Sequence, residues 1–406
     1  MKRMLFFCMA MVIAFSSCSN LKDNKALREK KSKKASGDII IGAVSSWALE
    51  KDENTWQALK MAVDEINYRD GIKGRKIQIV KEDDEGILDK GLLIAESFCN
   101  NPDMLAVIGH ADAYITIPSS ILYEFNGLIL VSPTSDSQEI SDQNSYKYIF
   151  QPSPNSDDYI AKLIPFLENS KINNVIVFNC DDVFGKRFGD YFEKLATRKG
   201  LNIVARIPYS EAASEIFFRN KLLACYYYYD FDAVLIAGYA PNAIPFLKYA
   251  SMYKLNFQLL GTEQFDSKQL IAQVINTKKR VIFPSAFDAL SEDKIVKNFI
   301  ADFNKKIGVN PRSRAARWYN AMQFLAYAML QAEALTPGKI IDSIHKIKNW
   351  HGVLGNIVFA SQGVLKIIES NVVINTIKEN GEIVKSDKLL PLKEVKKSNT
   401  DSGRSK

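Results

Sequence analysis

The sequence predicts an α/β protein with parallel sheets, and three observations predict it. From Asp38 onward, short β-branched runs alternate with longer stretches of helical period, the pattern of parallel strands joined by crossover helices. More than 330 residues of mixed pattern are too many for a single sheet, so two lobes are expected. No helical stretch is long and apolar enough to read as a membrane span. Strands are expected at 39–44, 76–81, 105–108, 128–132, 175–179, 203–207, 233–237, 258–260 and 280–283. Helices are expected between them, at 55–68, 87–100, 114–125, 156–169, 184–199, 213–224, 241–253 and 267–274. The first of these places Trp56, Leu59, Ala62, Val63 and Ile66 on one face, which reads as core. After about residue 290, helices at 292–306, 314–334 and 337–348 precede short extended pieces at 353–360, 363–368 and 370–378. The two prolines of FQPSPNSDD, residues 150–158, mark the expected first passage between lobes.

Charge is unevenly placed. The 406 residues carry a formal net charge of +7, which taken whole suggests an anionic partner. Residues 19–37, however, hold seven Lys or Arg against Asp23 and Glu29, and residues 385–406 hold seven against three acidic side chains. The basicity belongs to the ends and the body is mildly acidic, which argues against nucleic acid as a partner. The YYYY run at 226–229 has no interleaved basic residues and reads as buried packing rather than a base-stacking platform.

The N-terminus has the order of a secretory signal: Lys2 and Arg3, an apolar run from Met4 to Phe15, then Ser16 and Ser17 before Cys18. It resembles a bacterial lipoprotein signal, with Phe15 where Leu is usual, and implies a lipidated Cys18. The alternative is an ordinary cleaved signal with Cys18 incidental. Residues 19–37 lack aromatic and β-branched side chains and read as a solvated basic tether. Residues 386–406 read as a basic disordered tail. Cys99, Cys180 and Cys225 cannot all pair with one another, match no metal spacing, and read as buried thiols.

Eight segments then carry a family likeness in order and spacing: IIIGAVSSW, AVDEIN, GIKGRKIQIVKEDDEG, VIGH, LILVSPTSDS, VIVFNCDDVFG, VLIAGYAPNAIPFLKYA and LLGTEQFD. Together they resemble the type I periplasmic binding proteins of the leucine/isoleucine/valine-binding branch, which feed ABC transporters. The resemblance implies two Rossmann-like lobes joined by three crossover segments, closing over a small ligand in the cleft. It implies lobe one at 38–151 plus 284–352 and lobe two at 152–283 plus 353–385. The expected partners are a small solute, an ABC permease and, through Cys18, the membrane. No cofactor is expected.

Ligands of such sheets bind beyond the carboxyl ends of the strands. The resemblance places Glu263 where the family's acidic residue holds a ligand ammonium, Tyr239 on the facing loop, and Phe184 over the ligand. Ser135 is retained in SPTSDS, but Ala113 replaces the family's ligand-binding serine and Asp136 its usual Thr or Ser. Lys51 falls near an aromatic position of the first loop. Two hydroxyls of α-amino-acid recognition are thus absent, and an aspartate repels a ligand carboxylate. Asp112, Lys51, Trp47, Tyr114, Arg314, Arg317 and Trp318 complete a mixed set that suits a polar or cationic solute better than an aliphatic one.

Other classes find little support. The three histidines are dispersed, and neither a GxGxxG nor a GxxxxGK[ST] loop occurs. His110 admits a hydrolytic reading with Ser132 and Asp136, without a nucleophile-elbow sequence. A tethered sensory or envelope-interaction protein on the same fold is the second reading.

Overall fold

The computed structural model describes residues 23–49, 54–134, 146–359, 365–370 and 372–386. They form two compact units, one comprising residues through Tyr159 plus Ser285–Val373, the other Ile160–Pro284 plus the residues from Ile374. The chain therefore changes unit three times. Both units are α/β, and each is built on a sheet with a parallel core.

In the first unit, β1 (Ile39–Ser45), β2 (Ile77–Asp83), β3 (Met104–Ile108), β4 (Ile129–Val131) and β5 (Ile149–Phe150) form a sheet in the order β2-β1-β3-β4-β5. Every pairing in it is parallel. Parallel neighbours require a crossover, which helices α2 (Thr55–Tyr68), α3 (Leu88–Cys99) and α4 (Ala113–Asn126) provide after α1 (Asp23–Ser32). Trp318 and Phe324, both fully buried, join the core formed by β1, β3 and β4.

The second unit contains α5 (Ser156–Asn169, which begins in the first unit), β6 (Asn174–Cys180), α6 (Val183–Arg198), β7 (Asn202–Tyr209), α7 (Glu215–Tyr228) and β8 (Ala233–Ala237). It continues through α8 (Ala240–Met252), β9 (Gln258–Gly261), α9 (Lys268–Thr277) and β10 (Val281–Ser285). Its sheet closes with β14 (Val373–Ile377) and β15 (Ile383–Lys385), in the order β15-β14-β10-β9-β8-β6-β7. The alternation along β6 shows why the strand reads as one apolar run: Val175 and Val177 enter the core on one face, Ile176 and Phe178 the core on the other.

The sequence misplaces two of the three passages between units. Residues 152–159 stay with the first unit, because Asn320 donates to the Pro152 carbonyl at 3.2 Å and Tyr159 is buried beside Phe287 and Phe299. Residues 353–373 stay there too. Strands β11 (Trp350–Gly352), β12 (Gly355–Phe359) and β13 (Leu365–Ser370) pair antiparallel in a separate sheet, and Val353 and Leu354 enter the same core as α10 (Lys294–Ile307) and α11 (Ser313–Gln331). Helix α12 (Pro337–Lys346) completes the unit.

Two further expectations fail. The segment read as a solvated tether contains α1, whose Arg28 is fully buried. Arg28 is anchored by polar bonds, which a composition without aromatic or β-branched residues does not announce. Of the tyrosine run at the end of α7, Tyr226 packs against the core, but Tyr227, Tyr228 and Tyr229 are exposed, Tyr227 at 82% and Tyr228 at 75%. Cys99, Cys180 and Cys225 are buried free thiols. The signal segment and the C-terminal tail beyond Ser386 lie outside the described residues. No described helix is long and apolar enough to cross a membrane.

Phe178 packs edge-on against Phe246, with ring centroids 4.7 Å apart, and has no solvent exposure. Phe178→Ala is expected to cost about 3–5 kcal/mol, read as a lowered urea midpoint of the transition that unfolds the second unit. A loss below about 1 kcal/mol would mean that this core is not packed as described.

Candidate functional site

In the second unit the carboxyl ends of β6, β8 and β9 carry the polar side chains singled out from the sequence. Asp182, just beyond β6, is the N-cap of α6: one carboxylate oxygen accepts from the Gly185 N–H at 2.6 Å. The other accepts from the Tyr239 hydroxyl at 2.9 Å. Tyr239 ends the turn from β8 into α8, where its own N–H donates to Asn242 Oδ1 at 3.0 Å. Its ring lies 5.4 Å from that of Phe184, which is itself seated on Phe188. Phe184 and Tyr239 are thus brought together, and Asp182, which sequence reasoning missed, fixes the tyrosine. The signal for Asp182 was an acidic residue immediately ahead of an apolar helical stretch.

Glu263 opens a 3₁₀ turn, Glu263–Phe265, and is only 5% exposed. One of its oxygens accepts from Gln264 Nε2 at 2.8 Å. Thr262 donates its hydroxyl to the Gly238 carbonyl at 2.8 Å, tying the Glu263 turn to the Tyr239 turn. Both turns need glycine. A Cβ on Gly238 would lie 2.1 Å from the Tyr209 hydroxyl, and one on Gly261 2.0 Å from the Phe265 ring. Tyr209 is buried, which holds its phenol well above the ordinary range, and its hydroxyl has no partner among the described residues. Burial likewise pushes the Cys180 thiol up to about 12, so it stays protonated and unreactive.

In the first unit the corresponding edge is braced from α11. Arg317 is buried and donates to the carbonyls of Pro133 at 3.0 Å and Thr134 at 3.2 Å, while Thr134 donates to the Ala111 carbonyl at 3.1 Å. Arg317 is therefore not a ligand donor but the support of the loop after β4. Trp318 is fully buried in the core and offers no stacking surface. Trp47 stands 4.7 Å from Trp318 and 5.5 Å from Trp56, with its N–H donated to the Glu82 carbonyl at 2.7 Å. Asp112 is the N-cap residue of α4 and Ala113 its first residue, both half-buried. Tyr114 is exposed and donates its hydroxyl to the Gly86 carbonyl. Ser132, Gln151 and Ser153 are buried at this edge, and their side-chain polar atoms have no partner among the described residues. Lys51, Ser135 and Asp136 lie outside the described residues, as does Cys18.

The hydrolytic reading of His110 does not hold. Its ring is completely buried, with Nδ1 2.8 Å from Asp84 Oδ2 and Nε2 3.1 Å from the Tyr123 hydroxyl. Both nitrogens are occupied, and neither partner is Ser132. Among the described residues no group of three His, Cys, Asp or Glu is placed to hold a metal.

The model of a family described as "Periplasmic binding protein" matches residues 40–379. The chain belongs to the periplasmic binding protein family. Members of this family are extracytoplasmic solute-binding proteins and not enzymes. This periplasmic binding protein is 26% identical over 339 residues to the leucine-specific-binding protein of Salmonella typhimurium, covering 82% of this chain and 89% of that protein. It is 25% identical over 378 residues to the Leu/Ile/Val-binding protein of Escherichia coli, covering 91% and 95%. Among solved structures, an ABC transporter substrate-binding protein from Desulfitobacterium hafniense in complex with Leu superimposes with a TM-score of 0.77 at 28% identity, over 86% of this chain and 100% of that one.

The Asp182–Tyr239 bond joins two strand ends across the sheet edge and is open to a direct test. Asp182→Asn, Tyr239→Phe and the double variant should show a coupling of about 1–2 kcal/mol in a double-mutant cycle of unfolding free energies. Additive effects would mean that the hydroxyl does not rest on Asp182 in solution.

Proposed function

We propose that this chain is the solute-binding component of an ABC importer, that it takes an amino acid or a related amine-bearing solute, and that a lipid on Cys18 holds it to the membrane. The observation that carries the solute class is Glu263: a carboxylate almost wholly withdrawn from water, one turn from Tyr239, at the carboxyl edge of a parallel sheet. A carboxylate at this edge is a suitable partner for a ligand ammonium, which brings opposite charge and charge-assisted hydrogen bonds. Tyr239 and Phe184 give that ammonium an aromatic wall. The named ligands of the relatives, leucine, isoleucine and valine, support an amino acid.

In the first unit Ala113 has no hydroxyl, whereas Ser132, Gln151 and Ser153 are buried polar side chains. Both features favour a polar amine-bearing solute over an aliphatic one. An importer also needs a permease, and the closed, ligand-bound form is the state proposed to dock on it. Signal order at residues 2–18 supports the lipid anchor.

A thermal-shift screen of amino acids, amides, polyamines and nucleosides should yield a stabilising amine-bearing ligand. Glu263→Gln should weaken it by about 2–4 kcal/mol, roughly thirty- to a thousandfold, in isothermal titration. Unchanged affinity would remove Glu263 from the site, and tight binding of leucine, isoleucine or valine would contradict the polar assignment.

A further inference from the structure

Helix α1 is anchored by a buried charge. Arg28 has no exposure, and its guanidinium donates to four carbonyls: Met104 at 2.9 Å, Cys99 at 2.8 Å, Asn101 at 3.1 Å and Asn126. Cys99 is the last residue of α3 and Asn126 the last of α4. The last carbonyls of a helix lack intrahelical partners and carry the negative end of its dipole, so two helix ends converge on one cation. The neighbouring Glu29 does the converse, accepting from the Gly338 N–H at 3.1 Å in the first turn of α12. Lys25 lies 4.4 Å over the Tyr148 ring and Lys31 pairs with Asp103 at 2.9 Å. Lys30, Lys33 and Lys34 are exposed, with no ion-pair partner among the described residues.

The helix begins at Asp23, five residues after Cys18. Five residues reach at most about 17 Å. We infer that α1 is a membrane dock: Arg28 locks it to the first unit, and Lys30, Lys33 and Lys34 face anionic phospholipid headgroups, so that an anchored chain presents one fixed face to the bilayer. This rests on the proposed anchor for its proximity to the membrane, while the lysine contact stands on charge alone. A body on a 19-residue leash would tumble, whereas one docked through α1 has its α3 and α4 carboxyl ends toward the lipid.

Two experiments separate the dock from the anchor. The chain expressed from residue 19 keeps every described residue and has no lipid. It should bind vesicles of one-third phosphatidylglycerol in phosphatidylcholine, weakly and in a salt-sensitive way, and K30E/K33E/K34E should weaken binding roughly a hundredfold. These substitutions touch no buried group, so folding is retained. Equal binding of the two forms, or of the native form to pure phosphatidylcholine vesicles, overturns the dock whatever the state of Cys18. In the full chain on membranes, spin labels at S36C and D89C report depth without interference from the buried cysteines. Asp89 lies at the far end of α3, about 15 Å along the helix axis. The S36C label should sit at the headgroups and the D89C label farther out by about that length, a difference abolished by Arg28→Ala. Equal depths overturn the fixed face, and release of the full chain from membranes without detergent overturns the anchor alone.

Discussion

Parallel pairing is the constraint on which the rest of this molecule depends. When neighbouring strands run the same way, every crossover must return along the outside of the sheet, so the strands end together at one edge and the crossover helices start there. Peptide dipoles then align, leaving helix N–H ends at that edge and helix carbonyl ends at the opposite one. In the second unit the first edge is where Asp182, Tyr239 and Glu263 gather from separate turns. In the first unit the opposite edge is where Arg28 collects the terminal carbonyls of α3 and α4. The proposed solute site and the proposed docking helix thus draw on opposite ends of the same kind of strand-helix arrangement, one in each unit.

Glycine and buried polar bonds keep the site turns close. Thr262 reaches the Gly238 carbonyl, and Gly238 in turn leaves room for the Tyr209 hydroxyl, so three consecutive connections in the sheet edge are fixed by contacts that tolerate no added methyl group. Arg317 performs the same service in the first unit by gripping the backbone of the loop after β4. Side chains of this kind carry charge in the sequence but act as structure, and their role shows only when their partners are known.

Much of the fold was legible from period alone, because strands buried on both faces, such as β6, are uninterrupted apolar runs bounded by turns. The passages between units were less so: Pro152 and Leu354 are bound by Asn320, a residue far away in sequence, and nothing local announces it. Motif order placed Glu263, Tyr239 and Phe184 at strand ends of one sheet, and the structure sets the Phe184 and Tyr239 rings together and ties the Glu263 turn to the Tyr239 turn. Arg317 and Trp318 were misread as ligand groups because helical spacing does not reveal which face of α11 meets a loop backbone. Arg28 was hidden because a lysine-rich segment without aromatic or β-branched residues reads as solvated, and only the geometry of two helix ends shows a buried place for a cation. The exposed tyrosines of α7 were misread for the converse reason, as aromatic composition says nothing of the face on which a helix ends.

In the proposed site the buried carboxylate of Glu263 holds the amine of the solute. Titration of the identified ligand against its N-acetylated counterpart, by calorimetry on the same protein, tests this most directly, since acetylation removes the cation and leaves the remainder of the molecule in place. The expected loss is at least a hundredfold, about 2.7 kcal/mol or more, from the missing charge-assisted bonds. Equal affinity for the two compounds would contradict it.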